Sequence, residues 1–284
     1  MKRLLLLLSA VILLFHILPF AARSEAAFSV SMEDRTWESI HHEHCRFENK
    51  QQLIDEVSGY VQAIAALTGK SNWQDSYPEG KVQFDIVFTA GSSHVEGGYY
   101  SYTKMIPRIY VNRAMAEYNF WTLAHEMTHL ICPTYGSLSL REGLACYIQD
   151  EIGENCSVFN YGVDVHACAQ LYLGNDYADI IDVMGSSDLP KSAALATSEK
   201  RAAFYLCSYS FSKYLIEQFG MQLFMKLYDC RNLQKECKLI IGEDVKSLVD
   251  DWIHYLGDYP VKMTQEEIDR QIAQAWELHG YKSN

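Results

Sequence analysis

The sequence predicts an α+β fold in which a small mixed or antiparallel sheet with an N-terminal helix precedes a mainly helical region. Short runs rich in β-branched and aromatic residues, bounded by Gly and Pro, lie before Tyr118. After that residue the apolar positions recur with helical spacing. Strands that come first and helices that follow indicate an α+β class rather than alternating βαβ units.

The N-terminal elements follow from local patterns. Residues 37–47 alternate weakly and are a candidate first strand. Residues 50–67 place apolar side chains at helical spacing, and Gly69 suits a C-terminal cap. Two β-rich runs complete the predicted strands, at 82–88 and at Arg108–Asn112.

The rest of the chain is predicted to be helical, apart from a long surface loop at 174–199 that is rich in Gly and Ser. The predicted helices cover 118–132, 139–151, 163–173, 199–219, 221–229, 243–256 and 264–278.

A targeting segment is predicted at the N-terminus. Lys2 and Arg3 precede a largely apolar run from Leu4 to Phe20, and small residues follow. This pattern is typical of a secretory signal peptide, here residues 1–27, and predicts a secreted or extracytoplasmic protein. The alternative is an uncleaved anchor, because the apolar run is just long enough to span a bilayer; only then would the protein contact a membrane.

Charge and cysteine content narrow the function classes. The formal net charge of −12 argues against nucleic-acid binding, which needs basic patches, and favours basic substrates through long-range steering. Eight cysteines in an exported chain favour some disulfides, with Cys230/Cys237 and Cys156/Cys168 the closest pairs outside the predicted site helices. The absence of Cys-x-x-Cys disfavours a cysteine zinc knuckle.

The segment His125-Glu126-Met127-Thr128-His129 predicts a metal site. Two histidines four apart on a helix point the same way and can reach one ion. Glu126 is rotated by about 100° from its neighbour, so it can act on a water molecule instead of binding the ion. The histidines lie opposite a predicted buried stripe of Phe120, Leu123, Ala124, Met127, Leu130 and Ile131.

A third ligand is needed, and Glu142 is the candidate. It lies 13 residues after His129, which leaves room for one turn and the start of an antiparallel helix. Gly143 would allow a close helix–helix approach. The alternative for Glu142 is a first-turn glutamate that favours the helix dipole.

HEMTH followed by REGLACY resembles the gluzincin metallopeptidases of the peptidase MA-like branch. The resemblance implies one Zn²⁺ held by His125, His129 and Glu142, with Glu126 as general base on zinc-bound water. It implies hydrolysis of peptide bonds in a peptide or protein substrate. The segments would be an N-terminal α/β subdomain at 28–117 and a helical zinc-binding subdomain at 118–284, forming one catalytic unit.

Residues 204–220 resemble the helix that carries an oxyanion-stabilising tyrosine in the aminopeptidases of this clan. Tyr205 matches that tyrosine, while Tyr209 shares its helix face and is the rival. The exopeptidase signature Gly-x-Met-Glu-Asn is missing, so an aminopeptidase that clamps a free substrate amine is not expected, while the choice between endo- and exopeptidase stays open. Arg108–Asn112 is expected to offer a strand edge to an extended peptide.

Cys146 stands where thermolysin-like enzymes have an aspartate that orients a histidine, so another group, such as a backbone carbonyl, is expected to do so here. Two further functions are compatible with the motif: a catalytically inactive relative that acts as a binding or regulatory module, and hydrolysis of a non-peptide substrate. His41, His42 and His44 form a weaker metal candidate, for which a solvated or packed strand is the preferred interpretation.

Overall fold

The computed structural model shows the predicted α+β fold, with a small mixed sheet followed by a helical region. The predicted signal peptide lies outside the described residues and stays a prediction. In the part of the chain that is described, no helix is long and apolar enough to cross a membrane. The structure describes residues 28–41, 45–77, 82–96, 107–134, 136–152, 162–173, 178–181, 184 and 198–278.

The sheet has four strands in the order β1-β2-β4-β3. The first three in this order are parallel, and β3 runs antiparallel to β4 at one edge. Ile86 of β2 pairs with Ile109 of β4, and both are buried. The strands are β1 (Phe28–Met32), β2 (Val82–Thr89), β3 (His94–Glu96) and β4 (Arg108–Asn112).

Helices cover one face of the sheet and form the rest of the fold, around a core that draws residues from both predicted subdomains. The described helices are α1 (Asp34–Glu38), α2 (Lys50–Thr68), α3 (Arg113–Glu117), α4 (Leu123–Ile131), α5 (Leu138–Glu151), α6 (Val165–Leu173), α7 (Ala178–Ile181), α8 (Ser198–Phe219), α9 (Met221–Tyr228), α10 (Leu233–Ile240), α11 (Val245–Asp258) and α12 (Gln265–Leu278), with a 3-10 turn at Trp73–Ser76.

Helix α2 is where the sequence predicted it. The side chain of Asn49 accepts a hydrogen bond from the backbone N–H of Gln52, which caps its N-terminus. At the other end Gly69 adopts the left-handed conformation, with a φ of 72°, as a C-terminal cap requires. Both ends are therefore set by local sequence.

The prediction of a first strand at 37–47 is wrong. Within this range the structure has the end of α1 and a turn, in which the backbone N–H of His41 donates to the carbonyl of Trp37 and the two rings stack. His42 and His44 lie outside the described residues. The first strand is instead β1, which is defined by its parallel pairing with β2 some 50 residues later.

Several helices differ from expectation. Helix α4 starts at Leu123 rather than at 118, because Asn119 has a φ of 60° and interrupts the helical path after α3. The predicted loop at 174–199 contains the short helix α7, whose Ile180 is buried. Helix α10 was not predicted. The few apolar residues of these segments are buried by residues that are distant in the sequence, so local apolar spacing did not predict these helices.

Helices α5 and α8 form the most extensive helix–helix contact. Gly143 lies at the crossing, as predicted for a close approach, although its partner is α8. A methyl group there would overlap Ser212 Oγ and the carbonyl of Ser208, and would lie 2.7 Å from the carbonyl carbon of Ser208. Glycine is therefore required for this spacing.

The expected disulfides are not present among the described cysteines. The seven that the structure describes, including Cys230 and Cys237, are all thiols. Six of the seven are buried, and burial raises the pKa of the Cys132 thiol to about 11. These side chains act as small apolar residues of the core. Cys156 lies outside the described residues.

Candidate metal centre

Helix α4 presents His125, Glu126 and His129 from a buried position. Its apolar stripe packs toward α2 and the sheet, which leaves the histidine face toward α5. Its N-terminus is tied to the edge of the sheet, where Thr122 Oγ1 donates to Ser93 Oγ at 2.7 Å. The predicted stripe is confirmed, and Phe120 is buried just ahead of the helix.

The turn between α4 and α5 is held by Tyr228 at the end of α9. The Tyr228 hydroxyl donates to the carbonyl of Cys132 at 2.6 Å, and Thr134 Oγ1 donates to the carbonyl of Tyr228 at 2.6 Å. Ser137 then caps α5 by accepting from the N–H of Leu140. These contacts set the direction in which α5 returns along α4.

Glu142 lies in the second turn of α5, beyond the first turn where a dipole role would be expected. Its Oε2 is 3.4 Å from His125 Nε2 and 3.2 Å from His129 Nε2. A tetrahedral site with bonds of about 2.0–2.1 Å places neighbouring ligand atoms about 3.3 Å apart. Buried His125 and Glu142 and the slightly exposed His129 therefore form a group that could hold a metal ion, and it is the one such group among the described residues.

Arg141 orients the Glu142 carboxylate. Its Nε and Nη2 donate to Glu142 Oε1 at 3.0 and 2.8 Å, which leaves Oε2 facing the imidazoles. Burial disfavours the charged carboxylate, but His129, His125 and Arg141 outweigh this and hold the pKa of Glu142 well below its usual range. Glu142 is thus ionised, as a metal ligand must be.

Cys146 lies behind His125. Its Sγ is 3.8 Å from His125 Nδ1, on the opposite side of the ring from Glu142. The expectation that some other group must replace the missing aspartate is therefore corrected, because the thiol itself occupies that place. By contrast, the buried His129 Nδ1 has no hydrogen-bond partner within the described part of the chain.

Glu126 is almost fully buried beside the metal group but is not a member of it. Burial raises the pKa of its carboxyl group, and the neighbouring His125 and His129 partly offset this. His94 of β3 is near enough to lower the same pKa slightly. A carboxyl group whose charged form is disfavoured is suited to accepting a proton.

Tyr205 and Tyr209, one turn apart on α8, are separated by their contacts. The Tyr209 hydroxyl donates to Asp150 Oδ2 at 2.6 Å and is engaged there. The Tyr205 ring is only partly buried, and its centre is 6.4 Å from that of His125. Burial raises the pKa of Tyr205, so its hydroxyl stays a proton donor. The geometry favours Tyr205 as the tyrosine of this site.

The open edge strand beside the site is β3 rather than β4, although both strands contact α4. Arg108–Asn112 pairs with β2 on one side and β3 on the other, so it offers no open edge and the earlier prediction is wrong. The edge of the described sheet next to α4 is formed by β3, which contacts that helix. The local pattern of β4 could not reveal how many neighbours it would have.

The chain finds no relative in the comparisons made. Protein-family models, curated proteins and solved structures give no match.

The sequence did not lead to a role for two residues around the metal group, Cys146 and Arg141. Cys146 lies four residues after Glu142 and therefore on the same helix face, so its position was a usable signal. Arg141 carries no signal of its own, because a basic residue next to an acidic one is common on helices. Its role becomes visible only once Glu142 is seen to be buried.

Proposed function

We propose that this chain is an exported zinc-dependent peptidase in which His125, His129 and Glu142 bind the ion. The observation that carries the proposal is the convergence of two imidazole nitrogens and one carboxylate oxygen at tetrahedral spacing, with Glu126 beside them. Two histidines and one glutamate are a ligand set that catalytic zinc uses, with a fourth position left for water.

Zinc in such a site supplies a water molecule whose pKa is lowered to about 7. The protein's own contribution is to position groups around the reacting peptide bond. Glu126 accepts the proton of the attacking water on its carboxylate and delivers it to the leaving amine. Its burial supports this role, because burial raises the pKa of Glu126 and so makes its carboxylate a better proton acceptor.

Tyr205 is proposed to donate a hydrogen bond from its hydroxyl group to the developing oxyanion. We expect Tyr205→Phe to lower kcat by about 100-fold, the usual effect of removing one oxyanion donor, without changing zinc content. Tyr209→Phe is the matched control. It should leave kcat nearly unchanged and lower the free energy of unfolding by about 1 kcal/mol, because Asp150 loses a donor. The reverse result would transfer the oxyanion role to Tyr209.

Metal binding is tested by mass spectrometry of the native protein and by competition with a chromogenic chelator. We expect one zinc ion per chain. Removing a residue that orients a ligand typically costs 10–100-fold in metal affinity, so loss of a ligand in His129→Ala should cost more than about 100-fold. His254→Ala removes an exposed histidine of α11 and should leave affinity unchanged.

Turnover on a peptide library, read by mass spectrometry, tests the peptidase proposal. Cleavage that depends on zinc and on His129 supports it. Zinc binding without cleavage of any peptide would favour the binding-module or non-peptide alternative. A protein that binds no zinc and stays inactive after zinc addition would overturn the proposal altogether.

A further inference from the structure

Arg141 connects the metal group to solvent. Its side chain is 41% exposed, whereas the Glu142 side chain that it contacts is 3% exposed. Among the described residues it is the one lysine or arginine that forms an ion pair with a member of the metal group. The Arg141 side chain is therefore the most exposed member of this group of ion pairs.

The guanidinium retains hydrogen-bonding capacity. Arginine has five N–H donors, and the two bonds to Glu142 Oε1 use one on Nε and one on Nη2. The described part of the chain provides no other hydrogen bond to the Arg141 side chain. Three N–H groups on a half-exposed, planar cation are suited to a carboxylate, which guanidinium binds with matching geometry.

The charge balance of the loaded centre also favours an anion. A divalent ion and Arg141 contribute three positive charges, whereas Glu126 and Glu142 contribute two negative charges. The histidines are neutral when they bind a metal. One net positive charge therefore remains, and the positive group nearest to solvent is the guanidinium of Arg141. A buried or half-buried charge is best stabilised by an ion of opposite sign.

We propose that Arg141 binds a carboxylate of the substrate next to the scissile bond. This rests on the proposed peptidase function. The guanidinium contacts Oε1 of Glu142 at 2.8 Å, whereas the imidazoles contact Oε2 of the same carboxylate, so the two lie within about two residues of each other along an extended chain, at roughly 3.3–3.6 Å per residue. The carboxylate is either the C-terminus or an acidic side chain of the residue that flanks the cleaved bond.

This inference revises the preference for basic substrates that the net charge of −12 suggests. Interactions between exposed charges are largely screened beyond about 8 Å at physiological ionic strength. The net charge therefore affects the approach of the substrate, whereas the contact with Arg141 decides which group is bound at the centre.

Binding to zinc-loaded Glu126→Gln protein separates recognition from turnover. The probes are libraries of N-acetylated hexapeptides that end in a free carboxylate or in an amide, and a third amidated library with an added aspartate. We expect the carboxylate or the aspartate library to bind about 10–100-fold more tightly than the plain amide library, the usual range for hydrogen bonds to a charged group. Which of the two does so identifies the source of the carboxylate.

Arg141→Gln should reduce that preference to near one. Without Arg141 the Glu142 carboxylate is less well oriented, which could lower zinc affinity. Such a loss would affect both libraries equally, so it drops out of the ratio of their affinities for the same variant. Arg35→Gln is the matched control, because Arg35 also pairs with a glutamate, at 2.6 Å from Glu33, on an exposed surface. This control should keep the wild-type preference.

If zinc-loaded Glu126→Gln protein, in which Arg141 is intact, binds all three libraries equally, the inference is overturned. This holds even if the wild-type protein hydrolyses peptides. The same holds if the preference survives in Arg141→Gln. If the preference exists and depends on Arg141 while no library is cleaved by the wild-type protein, the carboxylate site stands and the peptidase proposal fails.

Discussion

Glu126→Gln is expected to abolish turnover while zinc stays bound. Glutamine has nearly the shape of glutamate but cannot accept the proton of the attacking water. General base catalysis typically contributes a factor on the order of 10²–10⁴ to the rate. We therefore expect kcat to decrease by at least this factor. Zinc content should stay at one ion per chain, because Glu126 is not among the three residues that could hold the ion. Stopped assays on zinc-loaded protein measure kcat, and mass spectrometry of the native protein measures zinc content.

The stability of the folded protein serves as a control for Glu126→Gln. Burial raises the pKa of Glu126, so the folded chain disfavours its ionised form, and the neutral amide should leave stability unchanged or higher. Glu151→Gln, at an exposed position near the end of α5, is the matched substitution and should keep wild-type activity. Full activity in Glu126→Gln would rule out Glu126 as the base.

Gly143→Ala is expected to cause the largest loss of stability of any conservative change on α5. The added methyl group would overlap Ser212 Oγ and the backbone carbonyl of Ser208, and backbone atoms cannot rotate away. Overpacking typically costs 1–3 kcal/mol, and we expect about 3 kcal/mol because two contacts are violated. The free energy of unfolding from urea titrations measures it. Metal affinity should fall as well, because Glu142 is the preceding residue.

Gly59→Ala provides the comparison. Gly59 lies within α2, and a methyl group there meets nothing within 4 Å. Since alanine favours helix over glycine by about 1 kcal/mol, this variant should be as stable as the wild type or more stable. If both alanine variants behave alike, the close α5–α8 packing described here is wrong.

The local sequence determined the elements whose signals lie within one or two helical turns. The span of α2 and its Gly69 cap, the buried stripe of α4 and the shared face of His125 and His129 follow from a 3.6-residue period and from cap chemistry. The α+β class followed in the same way, because apolar spacing changes along the chain. Such signals need no knowledge of distant residues.

Only the tertiary structure decided the features that depend on long-range contacts. It made β1 a strand through pairing with β2, placed β4 inside the sheet and turned the chain at Asn119. It also placed the Tyr209 hydroxyl where it donates a hydrogen bond to Asp150.

Around the proposed metal site the same division holds. The spacing of the motif was enough to predict that His125 and His129 share a helix face, and the resemblance to the gluzincins implied Glu142 as the third ligand. The thiol of Cys146 behind His125 and the guanidinium of Arg141 on Glu142 emerged only from the folded chain. The physical reason is that a period along the chain specifies which way a side chain points, whereas its partner is specified by how whole helices and strands pack.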